Sequence, residues 1–265
     1  LQIFFILSPK QSHNEMILLT FNIINPDRIF ENTGALKSEE ILEITIQNTK
    51  ALLRSLESQE IMATFFIEIS LIAHLDKLVK KIINDGHEIS FYNIDSTIEQ
   101  IELIKKNTED LIGKQIRGIR MKEAAFDLST IQSLRFTYVS LIEETALIFP
   151  FKRFERKAPY TEEHGLSILH DSISPYSQIP YNDFVFQMIP LSYYESMVIE
   201  TIKKDEFVLV YLNSRQFTDF KKLQFEIPFY KKYRSGKKLQ DKVDQFLIWM
   251  NENELASARI KDFAF

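Results

Sequence analysis

The sequence predicts an α/β protein built on a parallel sheet, and two observations carry that expectation. Short apolar runs of strand length are each followed by a stretch with helical periodicity, three times in succession between Met16 and Ile112. Such alternation implies parallel strands joined by right-handed helical crossovers. The apolar runs are also continuous rather than alternating, as strands covered on both faces require. At 265 residues the chain has room for one large α/β domain or two ordinary ones; no linker divides it, so a single domain over 1–265 is expected.

The first strand lies in Met16 to Asn25, MILLTFNIIN, which is apolar at Ile17, Leu18, Leu19 and Phe21 and polar at its end. Ligands of α/β proteins gather at the carboxyl ends of strands, which singles out Asn22 and Asn25. A helix from about Ser38 to Ser58 follows, with Ser38 as its cap, Glu39 and Glu40 at the positive end of the dipole, and Leu42, Ile46, Leu53 and Leu56 on one face. Met62 to Glu68 is the second strand. Its helix places Leu75, Leu78, Val79, Ile82 and Ile83 on one stripe, and Gly86 supplies a left-handed stop. The third unit is a strand from His87 to Asn93 and a helix from about Thr97 to Ile112, with an inner stripe of Ile101, Ile104, Thr108 and Leu111 and a stop at Gly113. Ser96-Thr97-Ile98-Glu99 reads as a capping box headed by Ser96. Arg117 to Lys122 reads as a fourth strand, Leu128 to Leu134 as a short helix and Phe136 to Leu141 as a fifth strand. From Phe149 to Asn182 the pattern weakens, and Pro150, Pro159, Pro175 and Pro180 mark a long irregular connection. Strands are expected again at Phe184 to Ile189 and Glu206 to Asn213, then a helix from about Leu239 to Met250 and a closing strand at Ala258 to Phe263.

Composition removes several classes of function. Apolar residues at 45% and charged residues at 26% describe a globular chain, and 22 Phe with 10 Tyr supply ample core. A net charge of −5 and a pI near 5.7 leave no basic footprint, so no nucleic acid partner is expected. The basic, aromatic run Phe229 to Lys238 reads as a solvated loop. Without cysteine there is no disulfide framework, Cys-zinc site or Cys nucleophile. The five apolar residues Ile3 to Leu7, followed by Pro9 and Lys10, are too short for a membrane span or signal core, and the chain reads as cytoplasmic. No nucleophile elbow, Walker loop or dinucleotide fingerprint appears. The one His–carboxylate cluster, Glu162, Glu163, His164, His170 and Asp171, has no common metal-binding spacing and reads as loop.

Thr20-Phe21-Asn22, Ala63-Thr64-Phe65-Phe66 and Gly86-His87-Glu88-Ile89, in this order and spacing, resemble landmarks of the polysaccharide deacetylase (NodB-homology) family. The resemblance extends over roughly Met16 to Met250. It implies a distorted, incomplete (β/α) barrel of about seven strands and, in active members, metal-dependent removal of acetyl groups from glycans. It also implies roles that this chain leaves unfilled. Asn22 and Asn25 stand where the family has its general-base aspartate and a metal-holding aspartate, and Tyr92 and Ser96 stand where it has two metal-binding histidines. An amide takes up no proton near neutral pH, and neutral amide, phenol and hydroxyl groups are poor replacements for charged or imidazole ligands.

Gly118-Ile119-Arg120 resembles the motif whose arginine pairs with the catalytic aspartate, so Arg120 needs a new partner, with Glu68 and Asp95 as candidates. Tyr211-Leu212-Asn213-Ser214 is the nearest match to the late motif of the general-acid histidine, with Asn213 in its place, and Val185 to Ser192 resembles the apolar-Pro-Ser strand before it. His87 is not a ligand in the family and is expected to be packed. The resemblance therefore implies no zinc or other divalent metal cofactor and a catalytically silent relative acting as a saccharide- or partner-binding module in polysaccharide metabolism. Its pocket candidates are Asn22, Asn25, Glu68, Tyr92, Asp95 and Arg120. Two alternatives stay open, a protein interaction scaffold whose pocket is filled by its own side chains and a hydrolase with a rebuilt site.

Overall fold

The structure, a computed structural model, describes residues 15–30, 36–122, 125–142, 156–220 and 229–263. The chain begins with β1 (Met16–Ile23), a 3-10 turn at Pro26–Phe30 and α1 (Ser38–Ser58), then β2 (Thr64–Glu68), a single turn α2 (Ile69–Ile72) and α3 (Asp76–Asn84). It continues with β3 (Glu88–Tyr92), α4 (Ile98–Ile112), β4 (Gly118–Lys122), α5 (Leu128–Ser133) and β5 (Tyr138–Ile142). A hairpin of β6 (Tyr160–Glu163) and β7 (Leu166–Leu169) leads to α6 (Asp183–Met188), α7 (Leu191–Asp205) and β8 (Phe207–Asn213). The chain closes with α8 (Phe229–Lys232), α9 (Lys237–Glu252), β9 (Ala256–Ala258) and α10 (Ile260–Phe263).

The strands form one sheet in the order β6-β7-β5-β4-β3-β2-β1-β8, with β9 also on β1. Every pairing is parallel except β6 with β7. The sheet curls into an incomplete barrel, and the alternation of side chains along β1 divides the two sides. Ile17, Leu19, Phe21 and Ile23 join the outer core with helix residues such as Leu52, Val79 and Phe246. Leu18 joins an inner cluster with Phe66, Tyr138, Leu169, Leu209 and Tyr211. Burial on both faces is why β1 reads as an unbroken apolar run.

Two segments finish what the strands leave open. The connection before α6 lies along the free edge of β8, where Leu209 N donates to Ser172 Oγ (2.8 Å) and Tyr211 N donates to Tyr181 O (3.2 Å). β9 takes the early half of β1, Met16 to Leu18, while β2 pairs with Thr20 to Ile23. The chain then crosses the amino ends of β2 and β3, where Ile260 N donates to Thr64 Oγ1 (3.0 Å) and Lys261 N donates to Glu88 Oε2 (3.0 Å).

Several expectations need correction. The stretch expected as a strand, Phe184 to Ile189, lies in helix α6 up to Met188, begun by Asn182, whose Oδ1 accepts from Val185 N (2.9 Å); the strand likeness of Val185 to Ser192 therefore fails. Apolar runs of six residues do not by themselves separate a strand from a buried helical turn. The irregular connection contains the β6–β7 hairpin, which turns through His164 (φ 52°) and Gly165 (φ 73°), two successive left-handed residues as a two-residue hairpin turn requires. The closing strand is earlier and shorter than expected, and Ile260–Phe263 is helical. Seven parallel strands, β1 to β5, β7 and β8, make the incomplete barrel as expected, and among the described residues β6 and β9 are added to them. Ser38 is the first residue of α1 rather than its cap: Lys37 occupies the cap position, and its N–H donates to Glu40 (2.8 Å). The basic run from Phe229 supplies α8 and the start of α9, with Phe229 exposed. Ile3 to Leu7 and the start of the irregular connection, through residue 155, lie outside the described residues.

Candidate functional site

The inward residues near the carboxyl ends of the strands form a buried polar cluster around Arg120, which is fully enclosed. Its Nη1 donates to Asn22 Oδ1 (2.6 Å) and Thr20 Oγ1 (3.1 Å), and its Nε donates to Ser140 Oγ (3.0 Å). The guanidinium lies 3.8 Å from the Phe66 ring centre and 5.4 Å from that of Tyr211. Nη2 has no hydrogen-bond partner among the described residues.

The polarity of this network follows from its ends. An arginine only donates, so it must meet the Asn22 carbonyl, which leaves the Asn22 amide to donate onward. It does so to Asn213 Oδ1 (3.0 Å), and Asn213 Nδ2 donates to Asp183. The two asparagines are register partners across the β1–β8 pair. Burial pushes the Asp183 carboxyl above its usual range, opposed by the nearby Arg215 and by the Asn213 hydrogen bond. Burial also pulls the Arg120 and Arg215 guanidinium groups down, opposed most by the charges of Asp171 and Asp183 respectively. The pair of amides therefore transmits donor–acceptor order between a cation and a carboxylate, but neither amide can carry a proton as a base would.

Glu68 and Asp95, expected beside Arg120, are instead both held by Arg28. Its Nε and Nη2 donate to Glu68 Oε1 (3.1 and 2.8 Å), and its Nη1 lies 3.0 Å from Asp95 Oδ2. Ser70 Oγ also donates to Glu68 Oε1 (2.6 Å), and Asn25 N donates to Glu68 Oε2 (2.8 Å). Burial works against the Arg28 charge, but the hydrogen bonds and charges of Glu68 and Asp95 outweigh it and raise its pKa. One guanidinium thus ties the end of β2 to the segments that follow β1 and β3.

Those are the segments where the resemblance implies a divalent metal, and the residues present do not fit one. Asn25 Oδ1 is occupied by Asp27 N–H (2.9 Å). Burial pushes the Tyr92 phenol up to about 12, so it stays neutral and its oxygen is a weak ligand. Ser96 donates its N–H to Asn93 Oδ1 (3.0 Å) and precedes the cap of α4, which is Thr97 rather than Ser96: Thr97 N donates to Gln100 Oε1 (2.9 Å) and Gln100 N to Thr97 Oγ1 (3.4 Å). Glu68 and Asp95 already share the cation of Arg28, and Asp27 Oδ1 accepts from Leu36 N (3.1 Å). Among the described residues no group of three or more His, Asp or Glu side chains is placed to hold a metal.

The remaining sequence candidates are dispersed. His164 sits at the hairpin tip, 3.5 Å from Glu163, while His170 follows the far end of β7. His87 Nδ1 accepts from Ala63 N (3.2 Å) and its ring meets Phe65 edge-on, with centroids 5.3 Å apart. Burial lowers its pKa to about 4. The participants that sequence reasoning missed are Thr20, Arg28, Asp183 and Arg215. Thr20 was legible as the inward neighbour of Asn22, two residues earlier on the same strand face. Asp183 was hidden by the strand reading of α6.

No family model and no curated protein matches the sequence. Solved structures do match in fold. A probable polysaccharide deacetylase from Pseudomonas aeruginosa PAO1 aligns over 95% of this chain and 90% of its own, at TM-score 0.66 and 9% identity. The Puue allantoinase aligns over 96% and 90%, at TM-score 0.64 and 9% identity. A CE4-family pseudoenzyme from Bacillus anthracis aligns over 95% of this chain, at TM-score 0.52 and 9% identity; the match spans 66% of that protein's length. At such identities the likeness establishes a polysaccharide deacetylase-like fold and nothing finer.

Proposed function

We propose that this chain keeps a deacetylase-like barrel without metal-dependent hydrolysis and works by binding, in the setting of polysaccharide metabolism that the fold supports. The observation that carries the reading is Arg28, a cation covalently part of the chain, bridging Glu68 and Asp95 at the rim where a catalytic ion would have to be held. The loss of a base alone typically removes a factor of about 10²–10⁴ in rate, and without a metal its activated water is absent as well. The full burial of Arg120 and the pairing of Asn22 with Asn213 favour a chamber closed by its own side chains, although Arg120 Nη2 is left without a partner among the described residues. That favours a protein partner, or a glycan held outside the Arg120 cluster, over a sugar seated deep within it.

The test is acetate release from N-acetylglucosamine oligomers by the purified protein with added zinc, cobalt or nickel. The expected result is no release above the protein-free control. Release that scales with bound metal would overturn the proposal.

A further inference from the structure

At the opposite end of the barrel, beside the amino ends of β3 and β4, lies a cleft of about 420 Å³ that plays no part in the site above. Its lining mixes polar and apolar surface, the apolar part formed by Ile83 at the end of α3, Ile112 at the end of α4, and Ile89 and Ile116. Its rim carries Lys114, Arg117, Arg259 and Lys261, contributed by two segments distant in sequence. In a chain of net charge −5, this convergence does not follow from composition.

The two carboxylates lining the cleft are already engaged. Glu88 points inward and accepts from Thr64 Oγ1 (2.8 Å), Tyr138 OH (3.0 Å) and Lys261 N (3.0 Å). Asp262 accepts from Arg259 Nε (2.5 Å) and Nη2 (3.1 Å), while Arg259 Nη1 donates to Gly86 O (2.5 Å). Burial lowers the Lys261 ammonium pKa, and the neighbouring Arg259 and Lys114 charges add to that, although Glu88 and Asp262 oppose it. Lys114 follows Gly113, the left-handed end of α4, where a cation also suits the helix dipole. The helix dipole thus accounts for Lys114 and the Asp262 pair for Arg259, but neither accounts for Lys261 or for the isoleucines of the lining.

We propose that this cleft binds a small organic anion, a phosphate ester or carboxylate with an apolar body, the head meeting Lys114 and Lys261 and the body lying against Ile83 and Ile112. Guanidinium and ammonium groups recognise both kinds of head, and the volume is within the range of small-molecule sites.

The experiment is calorimetric titration of the intact chain with hexyl phosphate and with hexanoate, alongside inorganic phosphate and hexylammonium, for the native protein, Lys114→Gln and the double variant Lys114→Gln/Lys261→Gln. Saturable one-to-one binding of at least one hexyl anion is expected, weakened by salt. Inorganic phosphate is expected to bind about tenfold more weakly or not at all, hexylammonium not at all, and the double variant, which lacks both ammonium groups, at least about tenfold more weakly. Lys114 is an exposed loop residue, so its single variant folds and is expected to bind severalfold more weakly. No saturable binding of either hexyl anion, equal binding of inorganic phosphate or hexylammonium, or undiminished binding by the folded single or double variants would each overturn the proposal. Which hexyl anion binds more tightly identifies the head group.

Discussion

Asparagine at position 22 changes what the neighbouring arginine can find. A carboxylate would offer Arg120 a counter-charge; an amide offers one oxygen and must pass its own N–H onward, which is the arrangement seen from Asn22 to Asn213 to Asp183. The asparagines themselves were legible from the sequence, whereas the choice of partners was not. Arg28 lies in a 3-10 turn without periodicity, and nothing in one sequence says that Glu68 and Asp95 turn toward it rather than toward Arg120. His87 yields a prediction at this scale. Its folded pKa of about 4 lies below the ordinary 6.5 because of burial, so between those values the unfolded chain binds more protons. The neutral imidazole thus contributes stability that is fully present above about pH 6.5 and is lost as the pH falls toward 4, up to about 3 kcal/mol. Urea denaturation from pH 7 to 4.5 is expected to fall less steeply for His87→Gln than for the native chain. Parallel curves would refute it.

At the scale of the element, the boundaries of α1 and α4 were readable, but their caps each lie one residue from the expected position. Ser96-Thr97-Ile98-Glu99 matches the capping pattern in sequence, yet the geometry uses Thr97 and Gln100. Two overlapping candidates cannot be separated without the backbone angle at the cap, and Thr97 is the extended residue (φ −77°, ψ 165°). Thr97→Ala is expected to cost about 1 kcal/mol and Ser96→Ala less than about 0.5 kcal/mol; equal costs in chemical denaturation would place the cap elsewhere. Gly118 gives a second element-scale prediction. A β-carbon there would fall 1.9 Å from Tyr138 Cζ, because that ring crosses β4 to reach Glu88. Gly118→Ala is expected to destabilise by about 1–3 kcal/mol, and Tyr138→Leu should absorb at least about 1 kcal/mol of this in a double-mutant cycle. Additive losses would show that the ring is not the obstacle. The glycine of the Gly118-Ile119-Arg120 motif thus has a packing reason independent of chemistry.

For the whole molecule, the parallel strand–helix order was legible because each of the first four strands is largely buried and is followed by a helix. The closure was not legible. It depends on residues 172–181 covering the edge of β8 through side-chain and main-chain hydrogen bonds, and on β9 and α10 crossing the amino ends of β2 and β3, none of which has a period. The sheet thus carries a buried polar cluster at one end of the barrel and a basic cleft at the other. What decides whether the first end has lost its metal is the competition between Arg28 and an ion for the same rim. The direct measurement is zinc titration calorimetry on the native chain, on Asn25→Asp/Tyr92→His/Ser96→His, and on that variant with Arg28→Ala added. The account predicts no stoichiometric zinc binding by the native chain and an affinity at least about tenfold higher in the quadruple variant than in the triple one, as expected when a competing neighbour of the ligands is removed. Tight stoichiometric zinc on the native chain, or equal affinities with and without Arg28, would contradict it.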